Sequence, residues 1–121
     1  MSTKLATGDT VDRAIGDFQR TAQQDDLAAG FRTYARDHDF RFYLEGEAPM
    51  GADAAAAKLK PGSAIASWSE NVRGHSADGS LAYAVGEFTD VKKHGRHSYL
   101  QIWQYDPKVA NWGLRIFLES P

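Results

Sequence analysis

Over the second half of the chain, hydrophobic and polar positions alternate in four long stretches, residues 64–74, 81–91, 97–105 and 112–118. Alternation with a period of two marks strands that bury one face. The segments between them, Ala77-Asp78-Gly79-Ser80, Lys93-His94-Gly95-Arg96 and Asp106-Pro107-Lys108, each carry the Gly, Asp or Pro that a reversal needs. Four strands joined by tight turns form an antiparallel meander. Strands of about 9–11 residues exceed the usual 5–6, so the sheet is expected to twist and curl, leaving a hollow side.

The first half changes period. Val11, Ile15, Phe18 and Ala22 recur at helical spacing and predict a helix of about 15 residues with one apolar stripe. Asp9 is its expected N-cap, with Asp12 in the first turn at the positive end of the helix dipole. Gln23-Gln24-Asp25-Asp26 interrupts the stripe. Leu27, Phe31 and Tyr34 begin a second, shorter helix, and Asp37-His38-Asp39 makes a polar turn. Residues 40–45 alternate, with Phe40, Phe42 and Leu44 on one face and Arg41, Tyr43 and Glu45 on the other, as in a half-buried strand. A loop with Pro49 leads to an alanine-rich helix over residues 52–59, stopped by Pro61-Gly62. The order is helix, helix, strand, helix, then four strands. That predicts one α+β domain over residues 9–121, with helices over the hollow side of a curled antiparallel sheet and a frayed segment at residues 1–8.

Composition acts here by exclusion. The 14 basic and 16 acidic side chains leave a net charge of −2, which gives no electrostatic case for nucleic acid or a membrane surface as partner. The chain has no apolar run of about 18 residues to span a membrane. Its first residues lack the apolar stretch of a secretory signal, so a cytoplasmic location is expected. Cysteine is absent, which removes disulfides, thiol nucleophiles and thiolate metal sites together.

Several short pieces, in order, resemble one superfamily. They are Tyr34-Ala35-Arg36-Asp37, Met50-Gly51, Trp68, Ser76-Ala77-Asp78-Gly79-Ser80-Leu81-Ala82-Tyr83 with Gly86, Tyr99-Leu100-Gln101-Ile102-Trp103, and Trp112-Gly113-Leu114 with Pro121. Together they resemble the SnoaL-like, ketosteroid-isomerase-like superfamily with the nuclear-transport-factor-2-like fold, in particular its small bacterial members of unknown function. The resemblance implies a cone: a curled sheet wrapped around a long N-terminal helix, with an apolar pocket and a homodimer formed through the sheet. In the steroid isomerases an Asp near the end of the first strand is the general base, and that position falls on Phe42. Many small bacterial members carry an acid in the last strand, and that position falls on Phe117. A phenyl ring accepts no proton, so the isomerase mechanism is not expected to carry over.

The residues expected at a ligand pocket are Tyr34, Phe42, Trp68, Glu70, Tyr83, Glu87, Tyr99, Gln101, Trp103, Arg115 and Phe117. Aromatic walls with a few polar groups are what small-molecule pockets offer, although the same rings equally fill ordinary cores. Glu70, Glu87 and Arg115 each interrupt an apolar strand. A Glu87–Arg115 or Glu70–Arg115 pair would suit a carboxylate-bearing ligand or an oriented water, or else be a structural ion pair. Arg115 and Phe117 are expected to point opposite to Leu114 and Ile116. Leu100, Ile102, Leu114 and Ile116 would then lie on the convex side. His94 and His97 stand three apart across a turn with no nearby carboxylate in sequence, so no metal site is expected, and no cofactor motif is present. The first expectation is a protein binding a small apolar or amphipathic molecule. The alternatives are an isomerase, cyclase or dehydratase using a pocket Glu or Tyr, and an association module whose interior is filled by its own side chains.

Overall fold

The computed structural model describes residues 8–25, 27–35, 40–44, 46–59, 65–90, 96–108 and 111–120. The proposed turns at 37–39 and 93–95, the Pro61-Gly62 stop and residues 1–7 lie outside these. Three helices, α1 (Gly8–Gln24), α2 (Leu27–Tyr34) and α3 (Ala52–Lys58), accompany five strands, β1 (Arg41–Leu44), β2 (Ile65–His75), β3 (Leu81–Asp90), β4 (Arg96–Asp106) and β5 (Asn111–Ser120). Helix α1 already includes Gly8, so Asp9 lies inside its first turn and not at the cap.

The sheet has the order β1-β5-β4-β3-β2. Strands β2 to β5 form the expected antiparallel meander, and β1 joins β5 in parallel, which places Phe42 beside Phe117. The sheet is curled and does not close, leaving β1 and β2 as its edges. The β2–β3 reversal is held by Asp78, whose Oδ1 accepts from the Ser80 amide at 3.0 Å and from the Ser76 and Ser80 hydroxyls at 2.7 Å each. Those donors hold its carboxyl down at about 2, the Ser80 amide contributing most. Gly79 sits in the same turn at φ +76°, a conformation that favours glycine.

The core lies between α1, α2 and the concave face. Phe18 of α1 is its centre: its ring packs against Phe31, Tyr34, Trp68, Trp103 and Phe117 at centroid separations of 5.8–6.2 Å. Phe31 meets Phe40 and Phe42 at 5.1 and 5.2 Å. Gly30 gives this arrangement room, since a Cβ there would lie 2.7 Å from the Phe18 ring. Phe18, Phe31, Phe42, Gln101, Trp103 and Phe117 are all fully buried, so this part of the cone is filled by its own side chains.

Candidate functional site

Strand register sorts the expected pocket residues by face. On β4, Tyr99, Gln101 and Trp103 are buried against the core, as alternation predicts. Trp68 and Glu70 of β2 share that concave side, lying opposite Phe88 and Gly86 of β3. Tyr34, Phe42 and Phe117 also belong to or pack against the core. Tyr83 and Glu87 do not join them. On β3 it is Ala82, Ala84, Gly86 and Phe88 that are buried, and Tyr83 and Glu87 point to the convex side.

Arg115 is also convex, because β5 is irregular there. Ile102 pairs with Ile116 but Trp103 pairs with Leu114, so Arg115 is an extra, bulged residue. A bulge resets alternation. Leu114 and Phe117 therefore both face inward, while Ile116 faces out with Leu100 and Ile102. The expected convex position of Leu114 is corrected by the same bulge.

The expected glutamate–arginine pairs are replaced by others. Glu70 accepts a bidentate pair from Arg73, Nε to Oε2 at 2.8 Å and Nη2 to Oε1 at 2.7 Å. Arg73 also donates through Nη1 to Asp12 of α1, which ties the first helix to β2. The bond to Glu70 is the largest of the effects that raise the guanidinium pKa above its ordinary value. Glu87 lies 3.9 Å from Arg96, and Arg115 donates to Gln104 Oε1.

At the other end of the concave face the sheet holds a polar pair absent from the expected set. Nδ1 of His97 lies 3.5 Å from Oε2 of Glu119, with the two side chains only 16% and 11% exposed. The pairing follows from register. Glu119 lies beside Tyr99 on β4 and Leu44 on β1, and His97 lies beside Phe88 on β3. Their surroundings are rings. His97 stacks on Phe88 at 5.2 Å, Phe88 on Trp68 at 5.4 Å, and Tyr99 on Phe117 at 6.0 Å. Tyr99 donates its hydroxyl to the Ser69 carbonyl at 3.2 Å, and burial, with a smaller contribution from Glu70, pushes its phenol up to about 12. Gln101 accepts from Trp103 Nε1 at 2.8 Å.

A depression of about 320 Å³ at the ends of β1 and β5 is lined by Tyr43, Leu44, Leu118, Glu119 and Ser120. It shares Glu119 with the histidine pair, and its volume falls within the range of small-molecule sites. The sequence signal for the pair was available in His97, which shares a face with Tyr99, and in an acid two residues past Phe117. Among the described residues no cluster of three or more His, Asp or Glu could hold a metal ion, and no helix is long and apolar enough to cross a membrane.

Solved structures of the same architecture cover nearly the whole chain. A protein of unknown function from Shewanella oneidensis, described as NTF-2-like, superposes with a TM-score of 0.71 at 13% identity, over 93% of this chain and 98% of that one. The chain has the nuclear-transport-factor-2-like fold. An NTF2-like protein from Cytophaga hutchinsonii gives 0.66 at 12% identity, over 99% and 98% of the two chains. An NTF2-like protein from Rhodospirillum rubrum, described as of unknown function in nutrient uptake, gives 0.65 at 14%, over 91% and 96%. At these identities the likeness is one of fold. No family model and no curated protein matches the sequence. On this NTF2-like fold the chain places a ring-filled interior and, at one end of the sheet, the His97–Glu119 pair.

Proposed function

We propose that the protein binds a small amphipathic molecule at the ends of β1 and β5, with Glu119 and its partner His97 as the polar anchor. The observation that supports this is the sharing of Glu119 between the buried pair and the 320 Å³ depression. Burying an acid and an imidazole among rings costs stability that an apolar pair would not, and a ligand carrying one hydrogen-bond donor would draw on that polarity. The filled interior directs the ligand to the strand ends, away from the depth of the cone. N-phenyl-1-naphthylamine, a neutral apolar probe with a single N–H donor, tests this by its fluorescence on binding. One saturable site per chain is expected, weakened about tenfold or more in Glu119→Leu and unchanged in Glu87→Gln, whose side chain lies outside both the depression and the apolar row of the convex face. Wild-type affinity in Glu119→Leu would overturn the proposal, as would loss of binding only in Glu87→Gln.

A second reading concerns association of two copies, and it is favoured by the convex face. Val72, Val85, Leu100, Leu118 and Tyr43 are successive cross-strand partners, forming one apolar row across all five strands. Ile116, Ile102 and Tyr83 continue it in the next row. Val72, Leu81, Tyr83 and Leu118 are 39–48% exposed. A contiguous apolar surface of this kind marks an interaction site, and a twofold homodimer would cover it with itself. Sedimentation equilibrium should give twice 13.3 kDa for the wild type and a monomer for Leu100→Asp. A monomeric wild type at micromolar concentration would refute this reading and leave the first intact.

A further inference from the structure

The depression at Glu119 and the apolar row of the convex face share two residues. Tyr43 and Leu118 are cross-strand partners that close the row at its β1–β5 end, and both line the 320 Å³ depression. Its lining comes from both sides of the sheet. Leu44 and Glu119 stand in the concave register with Tyr99, whereas Tyr43, Leu118 and Ser120 stand in the convex register with Leu100 and Ser98. The depression therefore wraps the end of the β1–β5 pair, and one of its walls is the end of the row.

The convex face suits a second copy of this chain. The row Val72, Val85, Leu100, Leu118 and Tyr43 carries no charge and extends two strands to either side of Leu100, which sits on the central strand β4. A twofold axis lying along β4 in the interface plane would lay row on row. The neighbouring positions Ser69, Glu87, Ser98 and Ser120 are mostly serine, small enough for a second sheet to approach. At about 4.8 Å between strands and about 3.4 Å per residue, four strands of ten or eleven residues with the short β1 beside them span roughly 700 Å². That is close to the ~800 Å² per partner of a standard stable interface.

We infer that the second copy is part of the ligand site: it roofs the convex wall of each depression, so ligand binding and dimer formation strengthen one another. The coupling rests on the ligand site and on the dimer proposed above. Its sign follows from what an empty depression leaves. Without a ligand the end of the row borders a hollow, and the partner's side chains there have nothing to pack against. A small amphipathic molecule with its donor on Glu119 sets its apolar part against Tyr43 and Leu118. It thereby lengthens the row and gives the partner more apolar area to cover. The partner in turn removes water from the open side of the ligand. Leu118 is 39% exposed in the single chain and loses water on both counts.

Linkage makes the effect reciprocal, which gives two readouts on the intact protein with N-phenyl-1-naphthylamine as probe. Probe fluorescence should show affinity rising about tenfold between protein diluted to monomer and protein concentrated to dimer, within the usual range of coupling. With two sites per dimer, saturating probe should lower the dimer dissociation constant about a hundredfold in sedimentation equilibrium, by the same cycle. Val72→Asp separates coupling from direct contact. Val72 stands on β2 at the opposite end of the row, is 48% exposed, and lines no part of the depression. With circular dichroism like that of the wild type, Val72→Asp should stay monomeric and bind the probe about tenfold more weakly than the wild-type dimer. A dimer that forms and a probe that binds, each indifferent to the other, would overturn the inference and leave both readings standing. A probe that dissociates the dimer would also overturn it, because ligand and partner would then compete for Tyr43 and Leu118. A wild type that stays monomeric with and without probe, or that takes up no probe, fails at the underlying reading and overturns the inference with it.

Discussion

Replacing Phe18 by alanine tests the filled interior on which the placement of the ligand site depends. Phe18 is fully buried, and its ring is surrounded by those of Phe31, Tyr34, Trp68, Trp103 and Phe117. Truncating a core phenylalanine costs about 3–5 kcal/mol, the cost rising with the volume left unfilled. Here the void would be walled by elements from α1, α2, β2, β4 and β5 that cannot all move inward, so about 4–5 kcal/mol is expected. A chain of this size is stable by roughly 6–18 kcal/mol, so the variant should fold but lose much of its margin. At about 3–4 °C per kcal/mol for a domain of this length, Tm should fall by roughly 15 °C. Phe18→Leu restores most of the volume and should cost about 1–2 kcal/mol. Urea unfolding followed by tryptophan fluorescence gives the free energies, and near-ultraviolet dichroism reports whether the tryptophans stay packed. A loss below about 1.5 kcal/mol for Phe18→Ala would refute the reasoning, because it would mean the neighbouring rings were never closed around Phe18.

Other expectations follow from single contacts. Gly86→Ala would set a Cβ 2.0 Å from the Ser69 carbonyl oxygen and 2.8 Å from the Tyr99 hydroxyl; it should cost about 2 kcal/mol or more by overpacking, seen as a lower urea midpoint. Arg73→Gln unfastens α1 from β2, and because Asp12 is largely exposed the loss should be about 1 kcal/mol, with faster amide exchange in the first turns of α1. Tyr99 keeps its proton in the folded state up to about 12, whereas in the unfolded chain it ionises near 10. Its contribution is therefore complete below about pH 10 and lost as pH rises towards 12, by up to about 3 kcal/mol; Tyr99→Phe should lose that alkaline decline in urea titrations. Asp78 is depressed to about 2, so its contribution is present above its ordinary value near 3.8 and lost as pH falls towards 2. Asp78→Asn should flatten that part of the acid unfolding curve.

The element order was legible because hydrophobic period changes cleanly from helical to alternating between Tyr34 and Phe40, and because each described reversal carries a turn residue. Facing was less legible, for two physical reasons. On β3 the large apolar residues Leu81, Tyr83 and Val85 point outward, and the small Ala82, Ala84 and Gly86 point in. A curled sheet has limited room on its hollow side, and here rings from α1, β2 and β4 take that room, so the ordinary rule that the larger apolar face is the core face fails. On β5 the extra residue Arg115 reverses alternation midway, and a single sequence gives no sign of a bulge. Glu119 was hidden by the strand's end and not by the bulge: with β5 read as ending at residue 118, the acid fell outside the strand, and His97 had no visible partner. Phe42 and Phe117, singled out as positions where acids had given way to rings, do meet, at 6.1 Å between centroids. They meet as core, and the inward acid of the last strand stands two residues further on.

Whether Glu119 and His97 anchor a ligand is tested most directly by native mass spectrometry of freshly purified protein, with wild type and Glu119→Leu compared side by side. A stoichiometric small adduct is expected on each wild-type chain, displaced by N-phenyl-1-naphthylamine and missing from Glu119→Leu. An adduct retained at full occupancy by Glu119→Leu would contradict that anchoring.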